Sequence, residues 1–235
     1  MKKTLLLILA FGLFGCSSIE LEAVSSSDEE TQRILALGLS HEQNLLEAKK
    51  LKSDHMISVV TLQLVNARDE ENQYQNDLIE SRKIADMVIV SEDGISFTGP
   101  KISNTISDII STSSVLQNYY LEGLKNLNNG VIEHKLHVTY FYNASKPRGY
   151  SSVNLCDDWG RCETLMQIIS VSSLNFSNCT ANNCDYSEVF ELDLSNKLLK
   201  NSINKGLTMN LISNNESEKI NLPVSYLMGY LGIAI

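Results

Sequence analysis

From Ile132 the chain alternates: Ile132, His134, Leu136, Val138, Tyr140 and Tyr142 take every second position, and Glu133, Lys135, His137 and Thr139 alternate with them. A period of two puts one set on one face of an extended strand and the other set on the opposite face, which a helix cannot do. This stretch must therefore be a half-buried strand, and a strand with one apolar face needs a β-layer around it and a core beneath it. Further runs of strand composition follow at 150–155, 164–172, 186–194, 207–213 and 218–222, joined by short asparagine-rich loops. Between the third and fourth, Ser195 is placed to cap a helical stretch carrying Leu198, Leu199 and Ile203 that Gly206 closes. Pro223 suits a first helical turn, with Leu227, Tyr230 and Leu231 as its packing stripe.

Ahead of Asn128, Asn129 and Gly130 helical patterns dominate. Asp28 is expected to cap a helix from Glu29, and Ser40 with Gln43 forms a capping-box pattern ahead of Leu45, Leu46, Ala48 and Leu51. Segment 56–67 is Val/Thr/Leu-rich and reads as a strand, and segments 83–90 and 95–98 read as a β-hairpin around Glu92, Asp93 and Gly94. Helical spacing of Ile106, Ile109, Ile110, Leu116, Tyr120, Leu121, Leu124 and Leu127 predicts a helix over 103–127. The expected class is α+β: a helix-rich N-terminal half, 31–130, followed by an antiparallel β-sandwich or open-barrel-like domain over 131–235.

The N-terminus carries a different message. Lys2 and Lys3 precede an apolar run from Leu5 to Phe14, then Gly15, Cys16 and the polar Ser17 and Ser18. Charged, apolar and small-residue regions in that order form a secretory signal, and the run is shorter than the roughly 20 residues a spanning helix needs. The tetrad Leu13, Phe14, Gly15, Cys16 resembles the lipobox of bacterial lipoproteins, with Phe14 bulkier than the usual residue there. The resemblance implies cleavage of a signal peptide, 1–15, acylation of Cys16, and a membrane partner reached through N-terminal acyl chains. Ser17 and Ser18 after the cysteine resemble the outer-membrane sorting pattern of Gram-negative lipoproteins, which implies a body facing the periplasm. Residues 16–30, rich in Ser, Asp and Glu, have the composition of a flexible tether.

With 19 basic and 28 acidic side chains the formal charge is −9, and loss of Lys2 and Lys3 with the signal takes it to −11. Such a balance offers no phosphate-neutralising surface, so nucleic acid is excluded as a partner, and a cationic protein is favoured instead. Four cysteines remain once Cys16 is acylated: Cys156, Cys162, Cys179 and Cys184. In an exported chain an even set points to disulfides; three connectivities are open, and proximity favours Cys156 with Cys162 and Cys179 with Cys184. A zinc site is the rival, but five and four intervening residues do not suit its usual spacing.

No other pattern identifies a cofactor, metal or reaction. His134 and His137 project to opposite faces of one strand, and His134 on the apolar face reads as a buried, hydrogen-bonded side chain. Asp157, Asp158 and Glu163 around Gly160 lack the spacing of a calcium loop. No G-x-S-x-G nucleophile motif occurs. The aromatics Tyr119, Tyr142, Tyr150 and Trp159 are candidates for a partner surface. The stretch from the strand after Gly130 through Cys179, Cys184, Tyr186, Glu188, Phe190, Leu207, Leu222, Pro223, Tyr226 and Gly229 resembles uncharacterised lipoproteins of Gram-negative bacteria, a likeness that implies no catalytic residue. The expected function is non-enzymatic binding of an envelope protein; the alternative is a periplasmic hydrolase of envelope glycan, peptide or lipid.

Overall fold

The computed structural model describes residues 26–107, 114–156, 162–167, 170–213 and 217–234. The class is α+β, as expected, and the chain forms two compact units that divide between Glu70 and Glu71.

The first unit contains α1 (Ser27–Leu35), α2 (His41–Ala48) and the N-terminal half of α3 (Asp54–Met87). Ser26, not Asp28, caps α1: its Oγ accepts from Glu29 N at 3.2 Å while the Glu29 carboxylate accepts from Ser26 N at 2.9 Å. This reciprocal box starts the helix at Ser27, so residues expected in the tether form a first turn whose acids suit the helix dipole. Ser40 and Gln43 make the expected box on α2. Segment 56–67 is helical, not a strand. Val60 and Leu64, one turn apart, are fully buried with Ile34 and Ala48, and that shared face outweighs the weak helix preference of the β-branched residues.

Among the described residues the second unit holds the rest of α3, eleven strands and two further helices. The strands are β1 (Ile89–Val90), β2 (Ser96–Thr98), β3 (Ile102–Ser107), β4 (Ser114–Lys125), β5 (Ile132–Ala144), β6 (Ser152–Cys156), β7 (Cys162–Gln167), β8 (Ser170–Ser177), β9 (Cys184–Leu194), β10 (Leu207–Ile212) and β11 (Ser217–Leu222). The helices are α4 (Asn196–Ser202), capped by Ser195, and α5 (Val224–Ile233), preceded by Pro223 at its N-cap. The larger sheet runs β1-β2-β4-β5-β9-β8, with β3 also paired to β4, and the smaller runs β11-β10-β6-β7; every pairing is antiparallel. The larger sheet does not close into a barrel.

One expectation fails here. Within 103–127 the described residues form β3 and β4 rather than the expected helix, and Gly130 lies in the turn joining β4 to β5. The expected hairpin survives in shorter form, because α3 continues to Met87 and only Ile89 and Val90 pair with Thr98 and Phe97.

The two sheets share one core. Tyr140 of the larger stacks on Tyr150 ahead of β6 with ring centroids 4.7 Å apart, and the Tyr119 hydroxyl donates across to Asn221 O at 2.8 Å. Helix α5 fills the remaining space with buried Tyr226, Leu227, Tyr230 and Leu231. Its Gly229 sits against α3: a Cβ there would lie 2.4 Å from Ser81 O and 2.6 Å from Ile84 Cβ. Gly229→Ala is therefore expected to lower stability by about 1–3 kcal/mol through overpacking, despite alanine's advantage of up to ~1 kcal/mol in a helix. Urea unfolding with an unchanged or raised midpoint would show that α3 yields without cost.

Candidate functional site

The predicted site residues fare unevenly. Cys179 and Cys184 are joined by a disulfide, in a loop whose Thr180 and Asn183 also hydrogen-bond each other. In the chain-entropy picture so short a loop stabilises by about 2 kcal/mol. Cys156 and Cys162 are opposite partners in the β6–β7 ladder. Cys16, Asp157, Asp158 and Trp159 lie outside the described residues.

Tyr142 and Tyr150 do not form an exposed partner surface: they are 4% and 3% exposed, and Tyr119 is equally buried. Alternation along β5 turns Tyr142 inward, where its hydroxyl donates to Glu188 and accepts from Arg148 N at 2.8 Å. Arg148 Nη1 donates to the Tyr150 hydroxyl at 3.2 Å and pairs with Glu218, while Glu188 Oε1 also accepts from the backbone N–H groups of Arg148 and Gly149 at 3.0 and 3.2 Å. Burial pushes both tyrosine hydroxyls far above their ordinary pKa, so they remain protonated donors. This cluster ties β5 and β9 of one sheet to β11 of the other. Its groups are engaged with one another, which is the arrangement of a structural polar network.

The two histidines of β5 do face opposite ways. His137 lies on the outer face, stacked on Tyr120 at 4.8 Å. Its Nε2 is 2.6 Å from Glu122 Oε2 and its Nδ1 3.4 Å from Glu191 Oε1, while Glu191 also accepts from Lys135 Nζ at 3.0 Å. His134, 2% exposed, points inward, with Nδ1 3.1 Å from the Tyr230 hydroxyl; Gly123 leaves the room, since a Cβ there would lie 2.6 Å from that oxygen. Burial, and then the charge of Lys200, hold its pKa down at about 4, so the ring is neutral at neutral pH.

His134 also contributes to the wall of a groove of about 750 Å³ where β4, β5 and the β9–α4 junction meet. Leu124, Val131, Ile132 and Leu194 supply its apolar surface, and Glu122, Glu133, Lys135 and Asp193 its charged rim. Leu124 and Val131 are 55% and 51% exposed. Among the described residues, His134 Nε2 and Asn196 Oδ1, both in residues of this wall, are buried with no hydrogen-bond partner. An unpaired buried polar atom costs about 1–3 kcal/mol. Sequence reasoning missed this site, although the alternation of β5 already placed Glu133 and Lys135 on the solvent side; the contribution of Asp193 required the β5–β9 register, in which it pairs with Lys135.

Comparison with family models, curated proteins and solved structures returns no match, so the functional reading rests on the residues of this chain. Among the described residues no group of three His, Cys, Asp or Glu could hold a metal, and no helix is long and apolar enough to cross a membrane.

Proposed function

We propose that this chain is an exported lipoprotein, anchored by acyl chains on Cys16 to the outer membrane and facing the periplasm, whose β-rich unit binds another envelope protein without catalysing a reaction. The observation that carries the exported part of this reading is the Cys179–Cys184 disulfide, because such bonds persist in oxidising compartments. The signal-like N-terminus and the tetrad ending at Cys16 point the same way. One acyl chain binds a bilayer reversibly and two or more hold it stably, so anchorage needs no apolar body. A body of charge −11 is repelled by anionic headgroups, which keeps it available to a partner, and confinement beside the membrane raises its effective concentration there. The binding role is supported by the buried Arg148, Glu188 and Glu218, whose contacts serve the fold, and by an apolar groove left open to solvent.

Cys16→Ser is the direct test. The variant is expected to lose palmitate labelling and to move from the washed envelope fraction into the soluble periplasmic fraction. Retention on washed envelopes as firm as that of the wild type overturns the anchor.

A further inference from the structure

We infer that the groove between the β4–β5 turn and the β9–α4 junction is the dock for a partner segment that combines apolar and cationic side chains. The inference rests on the protein-binding reading above and names the chemistry of the partner.

The argument begins with what the groove leaves unsatisfied. Leu124 and Val131 stand half exposed in the groove, an apolar strip that a partner's aliphatic side chain would cover. The rim carries three carboxylates and one ammonium. Lys135 is engaged by Glu191 at 3.0 Å and by the field of its cross-strand neighbour Asp193, and Glu122 lies 2.6 Å from His137; neither Glu133 nor Asp193 closes to ion-pair distance with a cation among the described residues. Both are exposed and both stand on the outer face, one on β5 and one on β9. They are placed to receive Lys or Arg, and the same pair would reject phosphates or an acidic peptide.

His134 and Asn196 close the α4 side of the groove. Lys200 lies close enough to lower the His134 pKa, so the α4 side is unfavourable to a cation. That polarity sets the orientation: basic side chains toward Glu133 and Asp193, apolar ones into the strip. The volume, about 750 Å³, accommodates a short segment.

The test uses detergent-solubilised full-length protein and a fluorescein-labelled decapeptide of alternating leucine and arginine, read by fluorescence anisotropy. Binding is expected to weaken at least tenfold in Glu133→Lys/Asp193→Lys and in Leu124→Ser/Val131→Ser. It is expected to stay within twofold in Asp86→Lys/Glu92→Lys, which makes the same change of charge at exposed positions outside the groove. The matching leucine–glutamate peptide should not bind. Equal loss in both charge-reversed proteins overturns the inference, because it reduces binding to general attraction by an acidic body. Concentration-dependent dimerisation abolished by the groove variants would give the groove to a second copy and overturn it as well. A partner crosslinked in envelopes equally by wild type and by Glu133→Lys/Asp193→Lys would remove the groove from the account while leaving the protein-binding reading standing.

Discussion

Arg148→Met is expected to destabilise the β-rich unit by about 3–5 kcal/mol, the usual cost of removing one partner from a buried ion pair. The guanidinium is mostly buried, pairs with the buried Glu218, donates to the Tyr150 hydroxyl and lies over the Tyr142 ring at 4.7 Å from its centroid. Without it, the Glu218 carboxylate stays in a low-dielectric site and loses the compensating charge of the guanidinium. Glu188 is less affected, since it accepts from the backbone N–H groups of residues 148 and 149, which the substitution leaves in place. This difference supplies the control. Arg148→Met/Glu218→Leu removes both charges and is expected to recover more than half of the loss, because apolar replacement of a whole buried pair is close to neutral. Urea denaturation of the three proteins at neutral pH measures both quantities. A single variant losing less than about 1 kcal/mol would show that the pair sits in effectively aqueous surroundings.

Acid is expected to act through His134. The folded imidazole binds its proton only near pH 4, whereas in the unfolded chain it does so near the ordinary value of 6.5. As pH falls through 6.5 the unfolded state takes up a proton that the folded state refuses, so stability declines from there down to about 4 and this contribution levels off below it. Two to three pKa units correspond to a total of about 3 kcal/mol. The group responsible is identified by His134→Leu. That variant loses some stability at neutral pH because the Tyr230 hydroxyl loses its neighbour at 3.1 Å, but its stability between pH 6.5 and 4 should fall less steeply than that of the wild type by the same 3 kcal/mol. His137, with its two carboxylate neighbours, is present in both proteins and cancels in the comparison. Parallel curves would assign the acid sensitivity elsewhere.

What could be read in advance follows from how many faces of each element are constrained. β5 was legible because its inner face is apolar and its outer face, Phe141 apart, is polar, and the buried positions fall where alternation put them. Ser40, Ser195 and Gly206 were legible because caps and positive-φ glycines act locally. β4 was not. It carries Tyr119 and Leu121 inward but Tyr120 and Leu124 outward, so apolar residues on both faces erase the period of two and leave spacings that imitate a helix. Segment 56–67 failed for the opposite reason: its β-branched residues have strand propensity, and only packing around Ile34, invisible in a local window, makes it helical. The groove depends on register between strands far apart in sequence. The inward orientation of Tyr142 was already implied by the alternation; what sequence withheld was a Glu–Arg–Glu cluster able to satisfy an aromatic hydroxyl indoors.

The position of β8 at the end of the larger sheet governs how the protein behaves in bulk. From Thr164 to Cys184 the chain has no Asp, Glu, Lys, Arg or Pro, the residues with which exposed strand borders normally discourage contact with their neighbours, and Phe176 on β8 is exposed. Keeping molecules apart is left to their mutual repulsion as polyanions, which added electrolyte weakens. Purified stocks should therefore stay dispersed in dilute buffer and cluster as salt is raised, the reverse of a protein whose self-association runs through ion pairs.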